Sequence, residues 1–390
     1  MIYLDHNATT PVHPEVRKAM EPFWADQYGN PSSLHQAGRQ VARELKQARR
    51  DIASFLGASD ESEIIFTSGG TESNNAAFRS TLWAARPKRK LVTTAVEHSS
   101  ILKLAKALQE EGALVDYVNV SQEGDLDLGR LKLALGPDAA LVSVMMANNE
   151  TGVLFPVAEI AKWVRDANIL FHVDAVQAVG KIPVLLKDQP IDFLSLSAHK
   201  LGGPKGVGVL YVRKGVPFRP FCFGGGQERG RRAGTENVAG IIGLAAACQR
   251  IQKQGEEENR KIRRLRDQFE EKVLKKIPNV AINGRQENRL PNTSNLAFKG
   301  VDSEVLLILL DEAGICASSG SACVSGAPEP SHVLKAMGFS SERARSSVRF
   351  SLGPENTPVE IEETVKAISL LVARLREIDL KDQHPHPSVQ

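Results

Sequence analysis

The sequence predicts an α/β fold: a large domain with a mostly parallel sheet sandwiched by helices, plus a smaller α+β domain. Three observations predict it. From residue 64 to residue 212, short apolar runs alternate with stretches of helical period, the order that βαβ units impose. Those runs end in polar or titratable residues, namely Gly70 and Thr71, His98, Asn149, Asp174 and Gln177, then Ser197, His199 and Lys200. Open parallel sheets bind ligands beyond the carboxyl ends of their strands, so this convergence points to one site. Past about residue 260 the alternation gives way to a few strands between longer helices. With 390 residues there is material for two domains. The expected division is a large domain over 15–260 and a small one made of 1–14 with 261–390.

In chain order, the stretch YLDHNATTPVHPEV is turn-rich and leads into a helix near 15–23. Gly29-Asn30-Pro31-Ser32-Ser33 reads as a loop, with Ser32 or Ser33 placed to cap a helix that runs through 53. A strand at 64–67 meets Ser68-Gly69-Gly70-Thr71 and a helix over 72–85. Strand, glycine turn and helix N-terminus form the geometry in which free backbone N–H groups receive an anion. Gly70 and Thr71 are therefore phosphate candidates, although any βα unit has this outline. Strand 91–96 ends at Glu97-His98, and strand 141–146 ends at Asn148-Asn149-Glu150. Between them come a helix over 101–110, a strand over 115–120 and a short helix near Leu128. A helix over 157–166 and a strand over 169–173 then lead to Asp174-Ala175-Val176-Gln177.

Strand 193–197 is followed by Ala198-His199-Lys200 and then by Gly202, Gly203, Gly206 and Gly208. A lysine at the end of a buried strand is costly as an unpaired ammonium. Two readings stand side by side: a lysine that reaches solvent from a glycine-rich loop, or one that condenses with a carbonyl ligand and ceases to be an ammonium. A nucleotide phosphate loop fits less well, since GxxxxGK[ST] is absent and the glycines mostly follow the lysine. After strand 207–212, the glycine- and arginine-rich loop 224–235 ends at Thr235. Residues 236–277 read as one long helix or two, weakened at Gly255, with Ile262, Leu265, Phe269, Val273 and Ile277 on its buried stripe. Strands at 294–298 and 348–352 and helices at 303–313 and 359–378 complete the chain, with Cys323 in the small-residue loop 317–330.

Composition narrows the function. The chain is 42% hydrophobic and 24% charged, with a net charge of +3, too small to expect nucleic acid or a membrane surface. No apolar run approaches the roughly 18 residues of a membrane span, and MIYLD lacks a signal core, so a cytoplasmic location is expected. Cys222, Cys248, Cys316 and Cys323 follow no disulfide or zinc spacing.

Seven long motifs now stand out: FTSGGTESNN, VEHSSI, MANNETG, HVDAVQAVGK, LSAHKLGGPKGVG, GGGQERGRRAGTEN and SSGSACVSGAPEPSHVL. With them the chain closely resembles the class I (NifS/IscS-type) cysteine desulfurases, enzymes of pyridoxal phosphate fold type I, from Tyr3 to Gly353. The resemblance implies pyridoxal 5′-phosphate held covalently by Lys200, with Asp174 at its ring nitrogen, His98 stacked on the ring, Gln177 at the ring hydroxyl, and Asn149 beside ring and substrate. It implies phosphate contacts from Gly70, Thr71, Ser197 and His199, and from Thr235 of a partner subunit in a homodimer. It further implies Arg349 as anchor for the carboxylate of L-cysteine, and Cys323 as the nucleophile that takes the sulfur as a persulfide. No intrinsic metal is implied, the one exception being Cys323 as a ligand shared with an iron–sulfur cluster. An iron–sulfur scaffold or another sulfur-acceptor protein is the implied partner. The chain departs from the family at Pro354-Glu355-Asn356, where members commonly carry an arginine.

Two other readings remain. One is a different fold type I pyridoxal phosphate enzyme, such as a selenocysteine lyase or an aminotransferase; Cys323 in its loop speaks against the aminotransferase. The other is a cofactor-bound scaffold of low turnover in a cluster-assembly complex, against which Lys200 and Cys323 both speak.

Overall fold

The computed structural model describes residues 1–320 and 330–383; Cys323 lies outside the described residues, as does the tail beyond 383. The chain opens with β1 (Ile2–Tyr3), α1 (Pro14–Met20), α2 (Pro22–Ala25) and α3 (Gln36–Leu56). Then follow β2 (Ile64–Thr67), α4 (Gly70–Ala84), β3 (Lys90–Thr94), α5 (Ser99–Glu110), β4 (Leu114–Val118) and α6 (Leu128–Ala134). The alternation continues through β5 (Ala139–Met145), α7 (Val157–Asp166), β6 (Leu170–Asp174), β7 (Phe193–Ser197) and β8 (Gly208–Val212). The remainder comprises α8 (Val238–Lys276), β9 (Val280–Ile282), β10 (Thr293–Phe298), α9 (Ser303–Glu312) and β11 (Ile315–Cys316). Last come α10 (His332–Ala336), α11 (Ser341–Arg345), β12 (Ser347–Ser351) and α12 (Pro358–Gln383).

Seven strands form one sheet in the order β2-β8-β7-β6-β5-β3-β4. Only β8 runs against its neighbours; the other six are parallel to one another. Every residue of β5 and of β7 is buried, as strands covered by helices on both faces must be. A second, antiparallel sheet has the order β12-β10-β9, and β1 pairs in parallel with β11. No helix among the described residues is long and apolar enough to cross a membrane.

The core follows the two sheets. Val92, Val142, Val173 and Leu196 of the large sheet share a cluster with Ile241, Leu244 and Cys248 of α8. Another cluster joins Ile2 and Leu4 to Ile262, Leu265, Phe269 and Val273 of the same helix, and to Phe298, Phe350 and Val365. Helix α8 is thus continuous over 39 residues and rooted in both clusters. Gly255 does not break it. A Cβ at Gly255 would stand 2.9 Å from Ile251 Cγ2, and the glycine lets α8 pass close to the Gly180 carbonyl. One capping expectation fails: His35, not Ser32 or Ser33, caps α3 by accepting the Gly38 N–H at 3.2 Å, because the chain turns once more before the helix begins.

Candidate active site

Five strands that run the same way, β2, β3, β5, β6 and β7, deliver their carboxyl ends to one cleft with about 730 Å³ of empty space. Nine residues singled out in the sequence line it: Gly70, Thr71, His98, Asn149, Asp174, Gln177, Ser197, His199 and Lys200. Arg349 adjoins it, donating from Nη1 to the Asn149 carbonyl at 3.1 Å and from Nη2 to Asp5 Oδ1 at 2.8 Å. Thr235 is exposed and does not line the cleft of its own chain. Its loop is tied down by Arg49, which grips the Glu228 carboxylate at 2.8 and 2.6 Å, and by Arg232 on Glu72. Cys323 lies outside the described residues.

Lys200 follows β7 by three residues and is half-buried. Its Nζ donates to the carbonyls of Asn7 at 2.5 Å and Ala8 at 2.7 Å. Burial, helped by the nearby Arg349 guanidinium, lowers its pKa to about 8, so an appreciable fraction is free amine near neutral pH. Asp174 closes β6, accepting from Asn74 Nδ2 at 2.9 Å and from the Val176 N–H at 3.0 Å. His98 caps α5 through the Ser100 N–H, and burial holds its imidazole below the ordinary value. Burial and then the Lys200 charge push His199 down to about 4, leaving it neutral.

Sequence reasoning missed several participants. Asn7 and Ala8 act through backbone carbonyls, which leave no side-chain signature. Asn74 and Ser100 line the cleft and bond to each other at 3.0 Å; both sit inside motifs already quoted. Lys181 donates to Gln177 Oε1 at 2.7 Å and is driven well below its ordinary pKa by burial, then by Lys200 and Arg349.

Glu97 is the least expected. It is fully buried, with Oε1 accepting from Thr94 Oγ1 at 2.9 Å and the Met145 N–H at 2.8 Å, and Oε2 without a partner. Burial, then the charge of Asp174, raises its pKa to about 8 from 4.5. The folded chain therefore holds a proton that the unfolded chain releases above about 4.5. Stability from this group falls as pH rises from there to about 8, by at most about 1.4 kcal/mol per pH unit. Glu97→Gln is expected to flatten that fall, as read from denaturant midpoints of the cofactor-free protein between pH 5 and 8. A fall of unchanged slope would show that Glu97 is ionised in the fold.

The residues fit pyridoxal phosphate. Asn149 Oδ1 is buried in the cleft wall with no hydrogen-bond partner, an acceptor awaiting a donor. Helix α4 starts at Gly70 with no side chain capping it. A Cβ on Gly70 would lie 2.7 Å from Val176 Cγ2, and one on Gly208 would lie 2.6 Å from Gly69 Cα. Glycine thus keeps a helix N-terminus open beside Ser197 and His199, a cradle for an anion. An amine, a carboxylate and an imidazole complete the set.

Comparison with known proteins gives one answer. A family model described as aminotransferase class-V matches residues 2–364. The cysteine desulfurase of Trichormus azollae is 51% identical over 376 residues, covering 96% of this chain and 94% of its own. The cysteine desulfurase NifS of Azotobacter vinelandii is 50% identical over 377 residues, covering 97% and 94%. Among solved structures, a NifS-like protein superposes with a TM-score of 0.90 at 38% identity, covering 96% of this chain and 99% of its own.

Proposed function

This chain belongs to the NifS-like cysteine desulfurases of the class-V aminotransferase family, and from that membership we propose how its own residues divide the work. Lys200 holds pyridoxal 5′-phosphate, and L-cysteine is the substrate. Its sulfur passes to the Cys323 thiol. Cysteine and the enzyme thiol become L-alanine and an enzyme persulfide: the Cβ–S bond breaks, an S–S bond forms, and the thiol proton stays with the alanine.

The observation that carries the proposal is Lys200 itself, an amine brought to a pKa of about 8 in the same cleft as the Asp174 carboxylate. When bound, the cofactor supplies an electron sink for the pair left at Cα after proton loss. Asp174 supplies the carboxylate that keeps a ring nitrogen protonated. Asn74 and the Val176 N–H hold that carboxylate in place. His98 gives the ring a flat neighbour and a base, while Asn149 and Gln177 offer polar contacts to ring and substrate. Gly70, Thr71, Ser197 and His199 hold phosphate, and Thr235 completes that set from a second copy in a homodimer. Lys200, once free of the cofactor, moves the Cα proton, a contribution of about 10² to 10⁴ in rate. Arg349 takes the substrate carboxylate; its Nε is buried without a partner.

Cys323 is favoured over Cys248 and Cys316 by what surrounds those two. Cys248 is fully buried and its thiol pKa is raised by that burial. Burial, then Asp311 and Asp5, raises that of Cys316. The acceptor beyond the persulfide is a protein, an iron–sulfur scaffold or another sulfur carrier. The division into 15–260 and 1–14 with 261–390 belongs to the same proposal. The second hydrophobic cluster supports it, while Val333, Leu334, Met337 and Ala344 pack on the first. Anaerobic incubation of the purified holoenzyme with L-cysteine and a reductant tests the reaction. Alanine and sulfide are expected in equal amounts; cysteine consumed without alanine would overturn it.

A further inference from the structure

Glu150 directly follows Asn149, and only 1% of it is exposed. Its backbone is fixed on both sides: its N–H donates to Asn148 Oδ1 at 2.9 Å, and its carbonyl accepts from Asn295 Nδ2 at 3.3 Å. A carboxyl group this deep needs partners. Oε2 accepts from the Ser331 hydroxyl at 2.5 Å. The same oxygen rests against Gly320, so closely that a Cβ there would stand 1.9 Å from Oε2 and 2.5 Å from Cδ. Only glycine fits. Ser331 in turn accepts the Leu334 N–H at 3.1 Å and caps α10, so the hydroxyl is held from both sides. Burial raises Glu150 to about 7, while Ser331 and Arg349 favour its charged form.

None of the chemistry proposed above uses this carboxyl group. Its two contacts, however, bracket the nucleophile in the chain: Cys323 lies between Gly320 and Ser331. On the Gly320 side there is a second tether, since Ser318 and Arg349 exchange backbone hydrogen bonds at 2.7 and 3.1 Å. On the Ser331 side the carboxyl group acts beside a second tether, His332, whose Nε2 lies 3.0 Å from the Glu97 carbonyl next to His98.

We propose that Glu150 is a positioning residue whose carboxyl group clasps Gly320 and Ser331 and so fixes the two points from which Cys323 reaches the cleft. Holding both ends of a segment cuts the conformations its middle can sample and raises the local concentration of a group carried there. A misplacement of about 1 Å can cost a reaction 10²-fold. This inference rests on Cys323 as the sulfur acceptor.

The test uses holoenzymes of Ser331→Ala, Ser331→Thr, Glu150→Ala and the Glu150→Ala/Ser331→Ala pair. Ser331→Ala is expected to lower kcat for alanine formation by about 10- to 10²-fold. KM for cysteine and the absorbance change on adding cysteine should stay within about twofold, because the cofactor cradle is untouched. Ser331→Thr keeps the hydroxyl and should restore the rate. The double variant should be no slower than the slower single one, as expected of partners in one contact. Should Glu150→Ala fail to fold, the two Ser331 variants decide alone. Iodoacetamide labelling of Cys323 reads the clasp with no turnover. It should rise several-fold in Ser331→Ala while labelling of the exposed Cys222 does not move. Unchanged kcat in Ser331→Ala, or a change confined to KM, overturns the proposal. If wild-type holoenzyme makes no alanine, the functional reading fails instead. The labelling ratio then judges the clasp by itself, and an unchanged ratio overturns it.

Discussion

Lys200→Ala is expected to abolish both covalent cofactor retention and alanine formation, with the rate falling by at least about 10²-fold and by up to about 10⁴-fold from lost proton transfer alone. Among the described residues Lys200 is the one lysine lining the cleft, and Lys181 is committed to Gln177 and Asn7. Borohydride reduction followed by peptide mapping checks the attachment, and label on another lysine would remove the assignment. In the wild type, only neutral amine condenses with an aldehyde. The rate of reloading cofactor-free enzyme should therefore climb with pH and level off above about 8, where Lys200 has lost its proton. The same variant tests subunit sharing. After subunit exchange with Thr235→Val, a mixed dimer has one site with both defects and one with neither. Recovery toward half of wild-type activity supports Thr235 acting in the partner's cleft; no recovery despite proven exchange speaks against it.

Cys323→Ser should leave cofactor absorbance and the spectral response to cysteine intact while persulfide formation and sulfur delivery disappear. A hydroxyl is a far weaker nucleophile toward sulfur at neutral pH than a thiolate, so alanine formation should drop by at least about 10²-fold. Persulfide-specific labelling and mass spectrometry of the Cys323 peptide provide the measurement. Cofactor loss in this variant would assign Cys323 a structural task. Undiminished alanine formation would pass the role to Cys316, despite a thiol raised by burial and two nearby carboxylates.

Much of the sheet was legible because its strands are covered on both faces and so appear as unbroken apolar runs. Leu141 to Met145 and Phe193 to Ser197 are such runs, and the residues just past them were read as a site on that ground alone. Short elements were not legible. Ile2–Tyr3 and Ile315–Cys316 form a strand pair of two residues each, whose pairing is decided by the surrounding fold and not by any local pattern. At Gly255 local propensity argued for a weak point, and packing against Gly180 overrode it. Within the site, the polar side chains at strand ends were singled out, while Asn74, Ser100 and Lys181 were passed over although they stand in the same motifs. Also passed over were backbone groups, as with the Asn7 and Ala8 carbonyls on Lys200, and buried acids, as with Glu97 and Glu150, which in sequence are merely acids near better-known neighbours.

The strand-like segment around residues 2–8 carries a consequence for how the molecule is made. Asp5 meets Arg349 across 344 residues, and the Asn7 carbonyl meets Lys200 across 193. At a synthesis rate of about 5–20 residues per second, Asp5 waits tens of seconds for its arginine. During that time the large sheet can form while Asp5 still lacks Arg349 and the cleft lacks that part of its surround. The cleft is thus completed by joining a stretch made before the large sheet to an arginine made after it.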